Sequence, residues 1–261
     1  MGPPDVAFKG APSAELQKRL DRNFLPTDNI TIAMNILCLS LGGKTVIFET
    51  GVGSSRLFGD RGGRLQDNLM RAGIDPARID AVVVSHPHPD HVGGLCDDEG
   101  RPRFPNASIH LAEKDFRFWT DERQLGSPVD VAIRIACANL LPLQDRLVFF
   151  EDGDEVLPGV QAIFTPGHTT EHSCFRLSSG GESLFLIGDL VHHSVMLLEN
   201  PLIHFYADLD PSRAAETRMK TLTMLAETRA RLFACHFPWP GLGHVAVQGE
   251  GFRFFPEAIR W

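Results

Sequence analysis

The stretch Ser85-His86-Pro87-His88-Pro89-Asp90-His91, followed by Val92-Gly93-Gly94, decides how this 261-residue chain is read. Four metal-capable side chains fall within six residues of it. The apolar run Ala81-Val82-Val83-Val84 leads into it and predicts a short buried strand that opens into a loop of ligands. His86 and His88 are two apart, so an extended segment points them the same way. Asp90 and His91 follow where the chain must turn, with Gly93-Gly94 expected to allow that turn. Neither solvation nor core packing explains such density. Neutral imidazole and carboxylate are the ligands that borderline divalent cations prefer.

Composition narrows the class. Apolar residues make up 43% and charged residues 22%, the balance of a soluble globular protein with a substantial core. The formal net charge of −8 argues against a nucleic-acid surface, which needs a basic face. No apolar run reaches the length of a membrane span. Met1-Gly2-Pro3-Pro4-Asp5 carries no basic segment followed by an apolar one, so no secretory signal is expected. The cysteines Cys38, Cys96, Cys137, Cys174 and Cys235 are odd in number and include no Cys-x-x-Cys. That fits reduced thiols and a cytoplasmic location. Cys235 reads as a small buried strand residue.

Residues 1–28, with four prolines, read as an N-terminal arm or edge segment and a candidate homodimer contact. Ile30–Leu41 and Lys44–Glu49 are β-rich runs around Gly42-Gly43, a hairpin signal. Thr50-Gly51-Val52-Gly53-Ser54 reads as a tight turn more readily than a phosphate loop, since no Gly-Lys-Ser/Thr follows. Helices are expected at Arg64–Ala72, Glu113–Trp119 and Val129–Leu140. Another starts at Asp210-Pro211, with Asp as the cap and Pro at the first position. Strands are expected at Ser108–Leu111, Leu147–Phe150, Val160–Thr165, Phe175–Leu177, Leu184–Ile187 and Arg231–Cys235. The aromatic tail Gly249–Trp261 reads as an edge strand. No repeat or linker divides the chain. Strands alternating with helices predict an α/β fold, with sheets inside and helices outside.

Three further candidates each follow a strand: His168 in Thr165-Pro166-Gly167-His168-Thr169, Asp189 in Leu186-Ile187-Gly188-Asp189, and His236 in Phe233-Ala234-Cys235-His236. Strand ends can gather their loops on one sheet edge. His86-x-His88-x-Asp90-His91, Pro166-Gly167-His168-Thr169, Gly188-Asp189 and the late His236 resemble the metallo-β-lactamase superfamily, in an order that covers nearly the whole chain. Within it, His236-Phe237-Pro238-Trp239-Pro240-Gly241-Leu242-Gly243-His244 and Gly249-Glu250-Gly251-Phe252-Arg253-Phe254 resemble methyl parathion hydrolase and its relatives. So do Leu57-Phe58-Gly59, Phe104-Pro105-Asn106-Ala107 and Phe118-Trp119. Those relatives overlap in architecture with the N-acyl homoserine lactonases.

The resemblance implies an αββα sandwich over residues 29–261 and a dinuclear centre. By family position His86, His88 and His168 bind one cation, Asp90, His91 and His236 the other, and Asp189 bridges. Seven ligands without a thiolate suit Zn²⁺, with Mn²⁺, Co²⁺ or Fe²⁺ able to substitute. The implied activity is hydrolysis of a lactone or related ester by a metal-bridging hydroxide. Asp90 would hold the nucleophile and pass a proton to the leaving group. The family places aromatics near Phe58 and Trp119 at the substrate mouth, and His244 is a further candidate there. Glu49-Thr50-Gly51 stands where the family often has Asp-Thr-Gly, so support of the site differs. His192 stands where the homoserine lactonases carry a tyrosine; it either donates to a developing oxyanion or merely packs. His172 is equally open between support of the site and a structural role. The alternatives are an organophosphate hydrolase, which shares the metals, and a non-catalytic metal-binding module. The expected partner is a small-molecule substrate, not a nucleic acid or a membrane.

Overall fold

The computed structural model describes residues 2–258. The chain forms two compact units, Met1–Asn35 with Ile163–Trp261, and Ile36–Ala162. Each has its own apolar core.

In the Ile36–Ala162 unit the sheet runs in the order Leu37–Leu41, Lys44–Phe48, Ala81–Val83, Ser108–Ala112, Leu147–Phe150. The first pair is antiparallel and the remainder parallel. Gly42 and Gly43, both at positive φ, close the expected hairpin. The central strand, Ala81–Val83, is buried at every position, as a strand covered on both faces must be. Helices Leu65–Arg71, Glu113–Trp119 and Asp130–Leu140 bring Leu69, Trp119, Ile133, Ala136 and Leu140 to its core. The ligand stretch is not all loop. Pro89–Val92 is one helical turn, with Pro at its first position.

Gly93 and Gly94 correct the sequence expectation. Gly93 sits at φ −61, an ordinary helical value, so freedom to turn is not what the position needs. A Cβ there would lie 2.4 Å from Pro89 O and 2.8 Å from Val52 O, and one on Gly94 would lie 2.2 Å from Thr50 O. The glycines let the Thr50–Gly53 backbone lie directly against the ligand turn. The glycine-rich stretch Thr50–Ser54 is the other half of that contact: a Cβ on Gly53 would meet Gly93 O at 1.9 Å.

In the other unit five neighbouring strands lie in the order Gly251–Pro256, Leu242–Gln248, Leu232–Phe233, Glu182–Leu186, Ser173–Ser179. Leu232–Phe233 runs parallel to Glu182–Leu186, and the other pairs among these strands are antiparallel. The tail is a hairpin rather than one edge strand, and residues 259–261 lie outside the described ones. Ile30–Asn35 is not a strand of this sheet; Ala33 and Asn35 donate instead to the carbonyls of His236 and Cys235. The segment 1–28 holds the helices Pro4–Ala7 and Ser13–Arg22, which place Ala7, Leu16 and Leu20 in the core. Phe8–Lys9 pairs with His204–Phe205. The long helix Pro211–Glu227 starts as expected, with Asp210 accepting from Arg213 N–H. Among the described residues no helix is long and apolar enough to cross a membrane.

His110 lies buried on Ser108–Ala112, with Nε2 2.8 Å from Ser108 Oγ. Burial, aided by the charge of Lys44, pushes its pKa down to about 4. The folded state therefore resists a proton that the unfolded chain accepts. Stability from His110 is complete above pH 6.5 and is lost as pH falls toward 4. Wild type should lose up to about 3 kcal/mol more than His110→Gln across that interval. Urea unfolding at a series of pH values checks this, and parallel curves would count against it.

Candidate functional site

Each unit carries one set of the candidate ligands. In the Ile36–Ala162 unit, His86 and His88 follow the carboxyl end of the parallel strand Ala81–Val83, the edge at which open α/β sheets bind ligands. Their rings lie 4.5 Å apart and edge-on, and His91 lies 4.1 Å from His86. All three histidines are buried. Asp90 heads the helical turn, with Oδ1 3.8 Å from His91 Nε2.

These rings are held from behind. Ser85 Oγ lies 3.0 Å from His86 Nδ1. Glu49 Oε2 lies 3.0 Å from His91 Nδ1, and Glu49 Oε1 accepts from Ser85 N–H at 3.1 Å. Thr50 N–H and Oγ1–H both donate to His91 O at 2.8 Å. Glu49 thus fills the role that the Asp-Thr-Gly departure left open, with a side chain one methylene longer. It adopts φ +69, a conformation that costs a non-glycine residue on the order of 1–3 kcal/mol and that persists where surrounding contacts over-determine it. Trp119 is 1% exposed in this core, its ring edge-on to His88 at 4.4 Å. It packs in the core against His88, a candidate ligand. Phe58 is half-buried on the segment after Ser55.

In the other unit, strand register assembles the second set. Leu186 pairs with Phe233 across parallel strands. Asp189 and His236 each stand three residues beyond that pair, so equal offsets bring them out together. Asp189 Oδ1 lies 3.0 Å from His236 Nε2, and Asp189 Oδ2 lies 3.2 Å from His168 Nε2. His168 Nδ1 donates to Asp208 Oδ1 at 2.9 Å, and His236 Nδ1 donates to Ala33 O at 2.8 Å. With Nδ1 donating away from the site, each ring presents its Nε2 toward the carboxylate, the nitrogen a metal ligand would use. Gly167 carries the His168 loop at φ +133; a Cβ there would meet Ala214 N at 2.2 Å. The loop therefore rests on the first turn of the long helix, where Leu209 and Asp210 donate to the carbonyls of His168 and Gly167.

His172 supports the site. Its Nε2 accepts from Asp189 N–H at 2.9 Å, and its Nδ1 lies 2.8 Å from Thr165 Oγ1. His192 is 1% exposed, with Nε2 3.0 Å from Asp189 Oδ2 and its ring stacked on Phe205 at 3.7 Å. Burial pushes its pKa down to about 4 despite Asp189, so the ring is neutral. His244 stands elsewhere: its Nδ1 lies 3.1 Å from both Arg229 O and Ala230 O, just past the end of the long helix.

The donor set fits divalent cations. Burial alone would lower the pKa of His168; Asp189 and Asp208 outweigh it and raise it to about 9. Carboxylates here exceed what neutral imidazoles can balance, and positive charge is what the cluster lacks. Sequence reasoning missed Asp208 and its buried partner Arg218. One signal was available: Ala214, Ala215, Arg218, Leu222 and Leu225 share the buried face of the helix, with an arginine among apolar residues.

A family model described as the metallo-beta-lactamase superfamily matches residues 35–236. A beta-lactamase-like protein 2 homologue of Drosophila melanogaster is 30% identical over 148 residues, which are 52% of this chain and 44% of that protein. The chain thus spans less than half the length of that relative. An N-acyl homoserine lactonase of Bacillus thuringiensis is 23% identical over 197 residues, 75% of this chain and 68% of that one. The structure of AidC, a dizinc quorum-quenching lactonase in complex with a product N-hexanoyl-L-homoserine, matches with TM-score 0.88 and 33% identity. The match covers 96% of this chain and 88% of AidC.

Glu49→Gln keeps the shape but removes the charge behind His91. Zinc affinity, measured by competition with a chromophoric chelator, should fall about 10- to 100-fold. An unchanged affinity would show that Glu49 does not orient His91 for a metal.

Proposed function

The chain belongs to the metallo-β-lactamase superfamily of metal-dependent hydrolases, and from that membership we propose that it opens lactones or related esters at a dinuclear centre. His86, His88 and His168 would hold one cation, Asp90, His91 and His236 the other, and Asp189 both. The observation that carries this is the Asp189 carboxylate, whose two oxygens face the Nε2 atoms of His168 and His236, the histidines assigned to different cations. The nitrogen- and oxygen-only donor set suits zinc, as in the dizinc AidC.

When bound, divalent cations would supply Lewis acidity toward a carbonyl oxygen and lower the pKa of a bound water. The protein's own part is orientation and proton movement. Asp90 would take a proton from the attacking water and return it to the leaving alkoxide. His192, a neutral ring stacked on Phe205 with Nε2 3.0 Å from Asp189 Oδ2, would donate toward a developing oxyanion. No serine or cysteine nucleophile is required. A lactone is favoured by the AidC likeness. The stretch His236 to His244, which resembles methyl parathion hydrolase, keeps a phosphotriester as the second substrate class. The same proposal has the chain acting in the cytoplasm on a small molecule, and as a homodimer through residues 1–28.

Elemental analysis of the purified, zinc-replete chain should find about two metals per chain. Acyl homoserine lactones should be cleaved faster than aryl esters, a phosphotriester or a β-lactam. Asp189→Ala should lose at least about 10³-fold in kcat/KM together with bound metal. A metal-replete chain that hydrolyses none of the panel leaves a metal-binding module.

A further inference from the structure

Arg218 is 1% exposed, deep on the buried face of the helix Pro211–Glu227. A buried guanidinium has to satisfy its donors, and the partners found here are informative. Nε donates to Leu190 O at 2.8 Å, and Nη1 donates to Pro201 O and Ile203 O, both at 2.8 Å. Nη2 lies 3.5 Å from Asp208 Oδ2, an oxygen that also accepts from Phe205 N–H. Asp208 Oδ1 receives the Nδ1 proton of His168. Leu190 directly follows Asp189. One planar side chain therefore reaches the carriers of two candidate ligands: His168 through Asp208, and Asp189 through the next carbonyl in the chain.

Resting on the dinuclear reading, we infer that Arg218 is a positioning residue that fixes His168 against Asp189 and thereby builds the cation site to which His168 belongs. One property makes the assignment specific. The guanidinium is rigid, so its fork sets the Asp208 carboxylate and the Leu190 carbonyl relative to each other, which an ammonium on a flexible stem cannot do. Asp208 Oδ1, set in this way, lies 2.9 Å from His168 Nδ1 and fixes the rotation of the ring. Asp208 bonds His168 directly, whereas His236 is oriented by Ala33 O. The effect should therefore fall on one cation more than on the other.

The test compares zinc binding by wild type, Arg218→Lys, Arg218→Met and Asp208→Asn. Arg231→Met serves as a control that removes a surface ion pair with Glu257. Zinc stoichiometry and affinity are read by chelator competition, and the coordination environment by the visible spectrum of the cobalt-substituted chains. Wild type and Arg231→Met should hold two metals. Arg218→Lys and Asp208→Asn should keep one tight site and lose about 10- to 100-fold in affinity at the other, with an altered cobalt spectrum. Arg218→Met should lose more, and should it fail to fold, the lysine and asparagine variants carry the result. Two equally tight sites with an unchanged spectrum in both variants would overturn the inference and leave the dinuclear reading standing. A wild type that takes up fewer than two metals would overturn both.

Discussion

A single buried carboxylate, Asp189, gathers most of the polar order in its unit. One oxygen faces His236, the other faces His168 and His192, and its backbone N–H is claimed by His172. Such a group is tolerable in an apolar core only when every lone pair has a purpose. The neighbours answer that demand with imidazoles, each fixed by a bond at its far nitrogen: His168 to Asp208, His236 to Ala33, His172 to Thr165. The pairing of Leu186 with Phe233 is what allows this. A slip of one residue would turn the carboxylate to one side of the sheet and the imidazole to the other.

The same logic operates in the Ile36–Ala162 unit with different parts. There the density of ligands is local, within a few residues after one strand, and orientation comes from Glu49 and Ser85. A carboxylate thus backs a histidine in both units, Glu49 behind His91 and Asp208 behind His168. The two are unrelated in sequence and in backbone conformation. Glu49 sits at strained positive φ immediately after the strand Lys44–Phe48, whereas Asp208 lies just before the cap of a helix.

How much of this was legible depended on distance along the chain. The His86 cluster announced itself because four candidate ligands are neighbours in sequence. His168, Asp189 and His236 were legible because each follows a strand with its own β-rich signature. Asp208 and Arg218 were not, because their meaning lies in partners found only after folding: a carbonyl at Leu190, an imidazole at His168. Trp119 was read as a surface of a mouth when it is core packing behind His88; aromatic residues carry no mark that separates the two. Gly93-Gly94 were assigned to a turn because glycine signals turns more often than contact. Their steric role appears only once the Thr50–Gly53 backbone is seen against them.

That contact has an evolutionary corollary. Gly53, Gly93 and Gly94 each leave room for a carbonyl of the opposite strand of chain, so a methyl group on any one of them strikes main chain that cannot step aside. Descendants of this sequence can drift at the surrounding side chains, but they can abandon these three glycines only by rebuilding both backbones at once. The trio should persist, or vanish together, across lineages that keep the His86 cluster.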